Sequence, residues 1–293
     1  MTAREMLSVP VDGGNLHLTS WPSRSDRAPV VLAVHGITAN SRSWDAVARR
    51  LDGAVTLLAP DLRGRGLSGR LPGPYGIAGH VNDLIAVLDS LGLAQATIVG
   101  HSMGAFVGCL LAARHPDRVT SVVLVDGGVA FPVPPGLDPD AALNAIVGPA
   151  LDRLQMTFPS RQAYRAFWQQ HPAFRDCWSP DIDTYVQYDL VGTAPQLRSS
   201  CNREAVRTDG RELLLEPELA RAVYELRGPA LLLWAERGLQ DQPQGLYDEE
   251  RLAAAGLDPT RIRTGRIPNV NHYTALLSVA GAAVVASAVL DTL

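Results

Sequence analysis

The sequence predicts an α/β fold with a mostly parallel central sheet, helices on both faces and a helical insertion. Three observations predict it. Short apolar runs of strand length alternate with segments of helical periodicity between residues 30 and 125. The runs are almost continuously apolar, which is typical of strands buried on both faces of a parallel sheet. The alternation stops after Asp126 and resumes at Gly228-Pro229, which predicts the insertion between them.

The strands are predicted from β-branched and aliphatic runs that end at Gly, Pro or Asp. Around Asp12-Gly13-Gly14 the chain has the pattern of an antiparallel hairpin. The later runs are expected to form the parallel part of the sheet. The predicted strands are 7–11, 15–19, 30–34, 54–59, 96–99, 119–125, 230–234 and 261–267.

Helices are predicted where apolar residues recur every three or four positions. The first begins at Ser41, the second ends before Gly92, and the third ends at His115-Pro116. The Ala-rich segment 275–290 is short for a membrane span and is interpreted as a buried helix. The four predicted helices are 41–51, 77–91, 102–114 and 275–290.

Residues 130–225 are predicted to be a mainly helical cap inserted into a core formed by residues 1–129 and 226–293. The insertion opens with a Pro-rich stretch (131–139) and then carries many aromatic residues. Aromatic side chains above the ends of a sheet favour an apolar pocket wall. Four residues are therefore candidates for substrate contact: Trp168, His171, Trp178 and Tyr188.

Composition excludes several functions. The 293 residues are 46% hydrophobic and 19% charged, with a formal net charge of −4 and no basic stripe, so nucleic acid is not an expected partner. The N-terminus has no apolar stretch of signal-peptide length, so we expect a cytoplasmic protein that does not bind membranes. Three widely spaced cysteines predict free thiols. No metal or cofactor is expected, and a homodimer is compatible with the sequence.

The segment Gly100-His101-Ser102-Met103-Gly104 carries the main chemical signal. It follows a predicted strand and opens a predicted helix, which is the context in which a G-x-S-x-G turn exposes a nucleophilic serine. The helix N-terminus directs partial positive charge at a developing oxyanion. We therefore predict that Ser102 is a nucleophile.

Four segments in order resemble the α/β-hydrolase superfamily along nearly the whole chain. They are His35-Gly36, the D-x-R-G-x-G-x-S loop at 61–68, the Ser102 turn and Asn271-His272. The insertion resembles the family's cap domain. The resemblance implies a hydrolase that uses serine, an acid and histidine in that chain order, which leaves His171 and His272 as possible bases. His272 lies where the family has its catalytic histidine.

The acid departs from the family pattern. Gly238 stands where the resemblance places an aspartate after the seventh strand. Asp126, at the end of the strand after the nucleophile helix, is the preferred candidate, followed by Glu236 and then Asp241. The acid would hold the imidazole tautomer and stabilise the imidazolium.

The resemblance also implies an oxyanion hole made by the backbone N–H groups of Ile37 and Met103. His35, Asp61 and Arg63 are interpreted as structural. The sequence thus predicts a cofactor-free serine hydrolase that cleaves a small carboxylic ester or lactone through an acyl-enzyme. Three alternatives remain open: hydrolysis of a carbon–carbon bond in a vinylogous diketone, a cofactor-free perhydrolase, and a non-catalytic small-molecule receptor.

Overall fold

The computed structural model of the chain describes residues 4–130, 136 and 138–293. Their strands are β1 (Glu5–Val11), β2 (Gly14–Trp21), β3 (Val30–Val34), β4 (Thr56–Pro60), β5 (Ala96–His101), β6 (Val119–Val125), β7 (Leu190–Val191), β8 (Arg198–Ser199), β9 (Ala230–Arg237) and β10 (Ile262–Asn271). The main sheet has the order β1-β2-β4-β3-β5-β6-β9-β10, and β7 pairs with β8 alone.

The sheet is mostly parallel, as predicted. β1 and β2 form the expected antiparallel hairpin, and β2 is also antiparallel to β4. All further neighbours, from β4 through β3, β5, β6 and β9 to β10, pair in parallel. The carboxyl ends of the parallel strands therefore share one edge, where α/β sheets of this kind bind ligands.

The α-helices of the described residues are α1 (Asp45–Leu51), α2 (Ile77–Ser90), α3 (Met103–Arg114), α4 (Pro139–Arg153), α5 (Arg161–Gln169), α6 (Pro180–Tyr188), α7 (Arg203–Leu215), α8 (Pro217–Ala222), α9 (Glu249–Ala254), α10 (Thr274–Leu277) and α11 (Val279–Asp291). Among them, none has the length and apolarity that crossing a membrane requires.

Two predicted helices differ from the observed ones. The predicted helix 41–51 begins with a 3₁₀ turn, Ser41–Trp44, before α1. The segment 275–290 is divided between α10 and α11 because Ser278 is extended, and its hydroxyl caps α11 by accepting from the Gly281 N–H. A serine hydroxyl at an N-cap satisfies an amide that has no partner within the helix.

The core has a layer on each face of the sheet. One layer packs α2 and α3 against the sheet through residues such as Val81 and Leu110. The other packs α1, α10 and α11 against the opposite face around Trp44 and Val285. Because both faces are covered, the central strands are mostly apolar, and every residue of β5 is buried.

The insertion between β6 and β9 has an apolar cluster of its own. Phe158, Tyr164, Trp168 and Phe174 pack with residues of α6 and with Leu277 of the core. Helices predominate here, with β7 and β8 as a short hairpin. The predicted Pro-rich opening lies largely outside the described residues, and the division at residues 129/130 and 225/226 stays a prediction.

Two strands, β9 and β10, extend three or more residues beyond their predicted ends. β10 is irregular between Ile267 and Asn271, but it resumes its parallel pairing at Asn271, opposite Arg237. The polar stretch before His272 is therefore part of the strand and not a loop. β9 likewise continues to Arg237, so Glu236 lies in a strand and not in the loop after it.

Candidate active site

Ser102 lies in the sharp turn that joins β5 to α3. Its backbone has φ 55° and ψ −122°, a conformation that residues other than glycine rarely adopt. The Ser102 N–H donates to the Val125 carbonyl at 3.0 Å, which ties the turn to the end of β6. Strain of this kind persists only where the surrounding structure enforces it, and it clusters at functional sites.

Glycines without side chains allow the turn to pack. A Cβ on Gly104 would lie 2.0 Å from the Val34 carbonyl oxygen, and one on Gly127 would lie 2.3 Å from the Ser102 carbonyl oxygen. Both neighbours are backbone atoms, which cannot move away as a flexible side chain can. The turn therefore requires glycine inside the motif and also at Gly127, after β6.

For the serine hydrolase that the sequence predicts, Gly127→Ala is expected to displace Ser102 and lower kcat by about 10²-fold, because misplacing a reacting group by an ångström costs about that much. Gly148→Ala is the matched control, since a Cβ there meets no atom within 4 Å. Steady-state kinetics of both variants with an aryl ester test this. Unchanged kcat in Gly127→Ala would contradict the packing described for Ser102.

Asp126 and His272 form a buried pair. Asp126 directly follows β6, has no exposed surface, and its Oδ2 lies 2.6 Å from His272 Nδ1. Its second oxygen, Oδ1, accepts from the Ala235 N–H at 3.0 Å. His272 directly follows β10 and is 5% exposed. A carboxylate on Nδ1 leaves Nε2 as the nitrogen that can accept a proton.

The other two candidate acids have different partners. Glu236 Oε2 accepts from the Asn269 N–H at 2.6 Å. Asp241 accepts from Arg237 Nε at 2.7 Å and from Asn271 Nδ2 at 2.9 Å. Neither carboxylate hydrogen-bonds to His272 in the described part of the chain.

The Gln242 side chain packs against Gly238, where the sequence departs from the family pattern. A Cβ on Gly238 would lie 2.2 Å from Gln242 Nε2. The space into which an aspartate side chain would project from this position is therefore filled by the glutamine. An aspartate at position 238 would therefore require the Gln242 side chain to move.

Ser102 and His272 line the same two cavities. Within the described residues their side chains share no hydrogen bond, and His272 is instead held at Nδ1 by Asp126 and at its backbone carbonyl by His101 Nε2. Hydrogen bonds between catalytic groups are often long without substrate and shorten in the complex. A proton transfer from Ser102 requires that approach.

The two backbone amides predicted as oxyanion donors lie beside Ser102. Met103 is the first residue of α3, where an N–H has no partner within the helix. Ile37 follows β3 and lines both cavities with Ser102. Because the peptide group is planar and trans, the Ile37 N–H points opposite to the Gly36 carbonyl.

His35 fixes the orientation of that peptide group. Its Nδ1 donates to the Gly36 carbonyl at 2.8 Å, and its Nε2 accepts from the Leu62 N–H at 3.0 Å. These two bonds require the neutral ring with the proton on Nδ1. Burial lowers the pKa of His35 to about 3, so the ring stays neutral. His35 thus has a structural role: by binding the Gly36 carbonyl it orients the peptide group that contains the Ile37 N–H.

The neutral His35 predicts a loss of stability in acid. The unfolded state takes up a proton near pH 6.5 and the folded state near pH 3, so between these values the unfolded state binds more protons and stability falls as the pH falls. The slope is up to about 1.4 kcal/mol per pH unit. Urea unfolding between pH 6.5 and 4.5 should give a shallower slope for His35→Asn. Equal slopes would contradict the assignment.

Arg65 binds the carbonyl of Ile37, in the loop that follows β3. Its Nε donates to the Ile37 carbonyl at 2.9 Å, and its Nη1 lies 2.6 Å from Asp209 in α7. Burial alone raises the pKa of Asp209, but the charges of Arg65 and His80 outweigh it and hold the pKa at about 2. A buried ion pair therefore links the insertion to the loop that carries Ile37. Sequence reasoning missed this pair.

Asp61 and Arg63 have structural partners, as expected. Asp61 accepts from the N–H groups of Ser41 and Leu67 at 2.8 and 2.9 Å, which closes the loop after β4. Arg63 forms a two-bond pair with Asp83 of α2, at 3.0 and 2.6 Å. Neither side chain lines the two cavities at Ser102.

The four residues predicted as substrate contacts lie elsewhere, because the aromatic residues form the core of the insertion. None of Trp168, His171, Trp178 and Tyr188 lines either cavity at Ser102. Trp168 is 3% exposed and packs within the aromatic cluster, and Trp178 packs against Phe174. His171 caps a 3₁₀ turn by accepting from Ala173 N–H. Tyr188 donates to Asp61 Oδ2 at 2.7 Å.

Aliphatic residues of α4 and α7 line the cavities instead. The larger cavity, about 100 Å³, has walls from α4, α7 and the loop after β9. The smaller, about 40 Å³, extends from Ser102 towards Tyr185 and Tyr273. The insertion residues that line one or both are Ala130, Leu143, Ile146, Val147, Ala150, Tyr185, Gly210, Leu213 and Leu214.

Comparison with known proteins agrees with this fold. A sequence model of the family described as alpha/beta hydrolase fold matches residues 29–277. The crystal structure of E-2-(acetamidomethylene)succinate hydrolase has a TM-score of 0.79 at 23% identity and covers 99% of both chains. The enol-lactonase from Burkholderia xenovorans LB400 has a TM-score of 0.68 at 21% identity, over 98% of this chain and 99% of that one.

Curated relatives are similar over a shorter stretch. The 2-(acetamidomethylene)succinate hydrolase of Mesorhizobium japonicum is 38% identical over 120 residues, which are 41% of this chain and 42% of that protein. Matched stretches span 29% to 46% of the relatives' own lengths. Since the family model covers most of the chain, the protein belongs to the alpha/beta hydrolase fold family.

Proposed function

We propose that the protein is a serine hydrolase that cleaves a carboxylic ester or lactone through an acyl-enzyme. Ser102 is the nucleophile, His272 the base and Asp126 the acid, and the N–H groups of Ile37 and Met103 form the oxyanion hole. The observation that carries the proposal is the 2.6 Å contact between Asp126 and His272, two residues that share a cavity with a strained serine.

In the first half of the reaction, Ser102 Oγ attacks the carbonyl carbon while His272 Nε2 takes the hydroxyl proton. The carbonyl oxygen becomes an oxyanion and accepts from the two amides. Collapse breaks the bond to the alkoxy oxygen, which leaves with the proton from His272. Water then attacks the acyl-enzyme with His272 again as base, and the acid is released with Ser102 regenerated.

Asp126 stabilises the positive charge that His272 carries in each step. Its Oδ2 accepts from Nδ1, and its Oδ1 is held by the Ala235 amide, so the carboxylate is fixed before the reaction begins. A group that is already oriented pays no reorganisation cost when charge develops.

The cavities support an apolar substrate of modest size. Phe106, Leu143, Val147 and Leu213 are among the residues that line the larger one. Among the residues that the structure describes, no arginine lines either cavity, so there is no cation to pair with a substrate carboxylate. The structural likeness to an enol-lactonase is compatible with a lactone or ester.

Residues 130–225 are proposed to act as the cap of this site. Helix α4 supplies Leu143, Val147 and Ala150 to the cavity walls, and α7 supplies Leu213. A wall from the insertion excludes water from the nucleophile, which strengthens the electrostatic interactions inside.

The proposal is tested by pre-steady-state kinetics with 4-nitrophenyl butanoate. If deacylation is slower than acylation, we expect a burst of 4-nitrophenol equal to the enzyme concentration. If deacylation is the faster step, we expect turnover without a burst, and mass spectrometry of the quenched reaction should detect the acyl group on Ser102. A panel with a vinylogous diketone, and with peroxide plus acetate, compares the two rival reactions. Turnover restricted to either rival substrate, or no acylation at all, would overturn the proposal.

A further inference from the structure

His101 is a second histidine in the site, and the mechanism does not use it. It is the last residue of β5, is 5% exposed, and its ring packs against the ring of His272 with centroids 4.5 Å apart. Its Nε2 lies 2.9 Å from the His272 carbonyl oxygen. A carbonyl can only accept, so Nε2 carries the proton and, in the neutral ring, Nδ1 is an acceptor.

That acceptor has no partner. Nδ1 of His101 is buried and forms no hydrogen bond with any residue that the structure describes. A buried polar atom without a partner is costly and rare in a folded protein. Burial and the neighbouring His272 also lower the pKa of His101 well below its ordinary value, so protonation does not turn Nδ1 into a donor.

The unpartnered nitrogen lies near Ser102, beside Gly36. A Cβ on Gly36 would lie 3.5 Å from His101 Nδ1 and 3.6 Å from Ser102 Oγ. Both atoms are therefore within van der Waals contact of the same position beside Gly36. Gly36, His101 and Ser102 line the same cavity.

We propose that His101 Nδ1 accepts a hydrogen bond from an O–H or N–H group that the substrate carries within two bonds of its scissile carbonyl carbon. The inference rests on the proposed function, because it needs a carbonyl at Ser102. It makes His101 a specificity-determining residue that selects donor-bearing acyl groups, such as those of α-hydroxy esters. Because Nδ1 is already buried without a partner, a substrate that brings a donor gains a hydrogen bond that a substrate without the donor does not.

Two esters with nearly equal inductive effects test the preference: 4-nitrophenyl 2-hydroxypropanoate, which carries a donor, and 4-nitrophenyl 2-methoxypropanoate, which does not. The ratio of their kcat/KM values is divided by the ratio of their rates with hydroxide, which corrects for the difference in intrinsic reactivity between the two esters. We expect the native enzyme to prefer the hydroxy ester by about tenfold, which is about 1.4 kcal/mol.

Two variants separate the two nitrogens of the ring. His101→Gln can place an amide N–H near the position of Nε2 and keep the bond to the His272 carbonyl, but it lacks an acceptor at Nδ1. His101→Asn can place its amide oxygen near Nδ1 but loses the bond to His272. We expect His101→Gln to bring the ratio close to one and His101→Asn to retain a preference while kcat falls for both esters.

The outcomes separate this inference from the proposed function. A corrected ratio of one in the native enzyme overturns the inference but not the hydrolase assignment. An undiminished preference in His101→Gln also overturns only the inference, because it would show a steric preference against the methyl group. Absence of turnover and of acylation with both esters overturns the proposed function and this inference with it.

Discussion

Asp126→Asn is expected to lower kcat by about 10⁴-fold with little change in folding. The amide keeps the shape of the carboxylate, but its NH₂ group can face His272 Nδ1 and favour the wrong tautomer of the ring. The carboxylate is fully buried between His272 and the Ala235 amide, so no other acid can replace it without a rearrangement. The measurement is kcat for an aryl ester, with circular dichroism to check the fold.

Glu236→Gln and Asp241→Asn are the matched controls for this prediction. Their carboxylates bind Asn269, Arg237 and Asn271, and each is partly exposed, so we expect kcat to change by less than about tenfold. A large loss in Glu236→Gln together with near-normal turnover of Asp126→Asn would transfer the role of acid to the glutamate.

Ser102→Ala is expected to lower kcat by about 10⁶-fold, the largest effect that a single substitution should have. Removing Oγ removes the nucleophile, while the cavities, the two amides and the Asp126–His272 pair stay in place. Substrate should still bind, so KM or a dissociation constant should change little. Single-turnover kinetics and calorimetric titration with a non-hydrolysable ester analogue measure the two quantities.

Ser43→Ala is the control for the serine. Ser43 lines the smaller cavity, but its hydroxyl donates to the Asn40 carbonyl at 2.9 Å and so has a structural partner. We expect an effect below about tenfold on kcat. Residual turnover of Ser102→Ala within a hundredfold of the native enzyme would indicate a different nucleophile.

The sheet could be predicted because strands buried on both faces are mostly apolar. Val30–Val34 and Val119–Val125 have the predicted ends: Pro29 precedes the first, and Asp126-Gly127 follows the second. The end of β10 could not be predicted, because its polar residues near Asn269 have the composition of a loop. The pairing of Asn271 with Arg237, which is distant in sequence, places the end of the segment in the sheet.

The candidate site also has a part that the sequence predicts and a part that it does not. The Ser102 turn has a local signal, because its strand, turn and helix are contiguous in the chain. The partners of Asp126 depend on β6, β9 and β10 lying side by side, and a sequence pattern does not contain that proximity. The carboxylate of Glu236 points to Asn269 because of where β9 and β10 end, which composition cannot reveal.

The walls of the cavity were the least predictable part. The aromatic residues of the insertion predicted a pocket wall, but Trp168 and Phe174 pack in the insertion's own core. The aliphatic side chains of α4 and α7 that face Ser102 have the pattern of any helix packed on a protein. Whether such a face meets a cavity or a neighbouring helix is decided by tertiary packing alone.

Labelling with a fluorophosphonate followed by peptide mass spectrometry tests most directly whether Ser102 is an activated nucleophile. We expect one adduct per chain, located on the peptide that contains Ser102, absent from Ser102→Ala and formed far more slowly in Asp126→Asn. A native protein that remains unmodified, or that is modified at another residue, would contradict the assignment of this site.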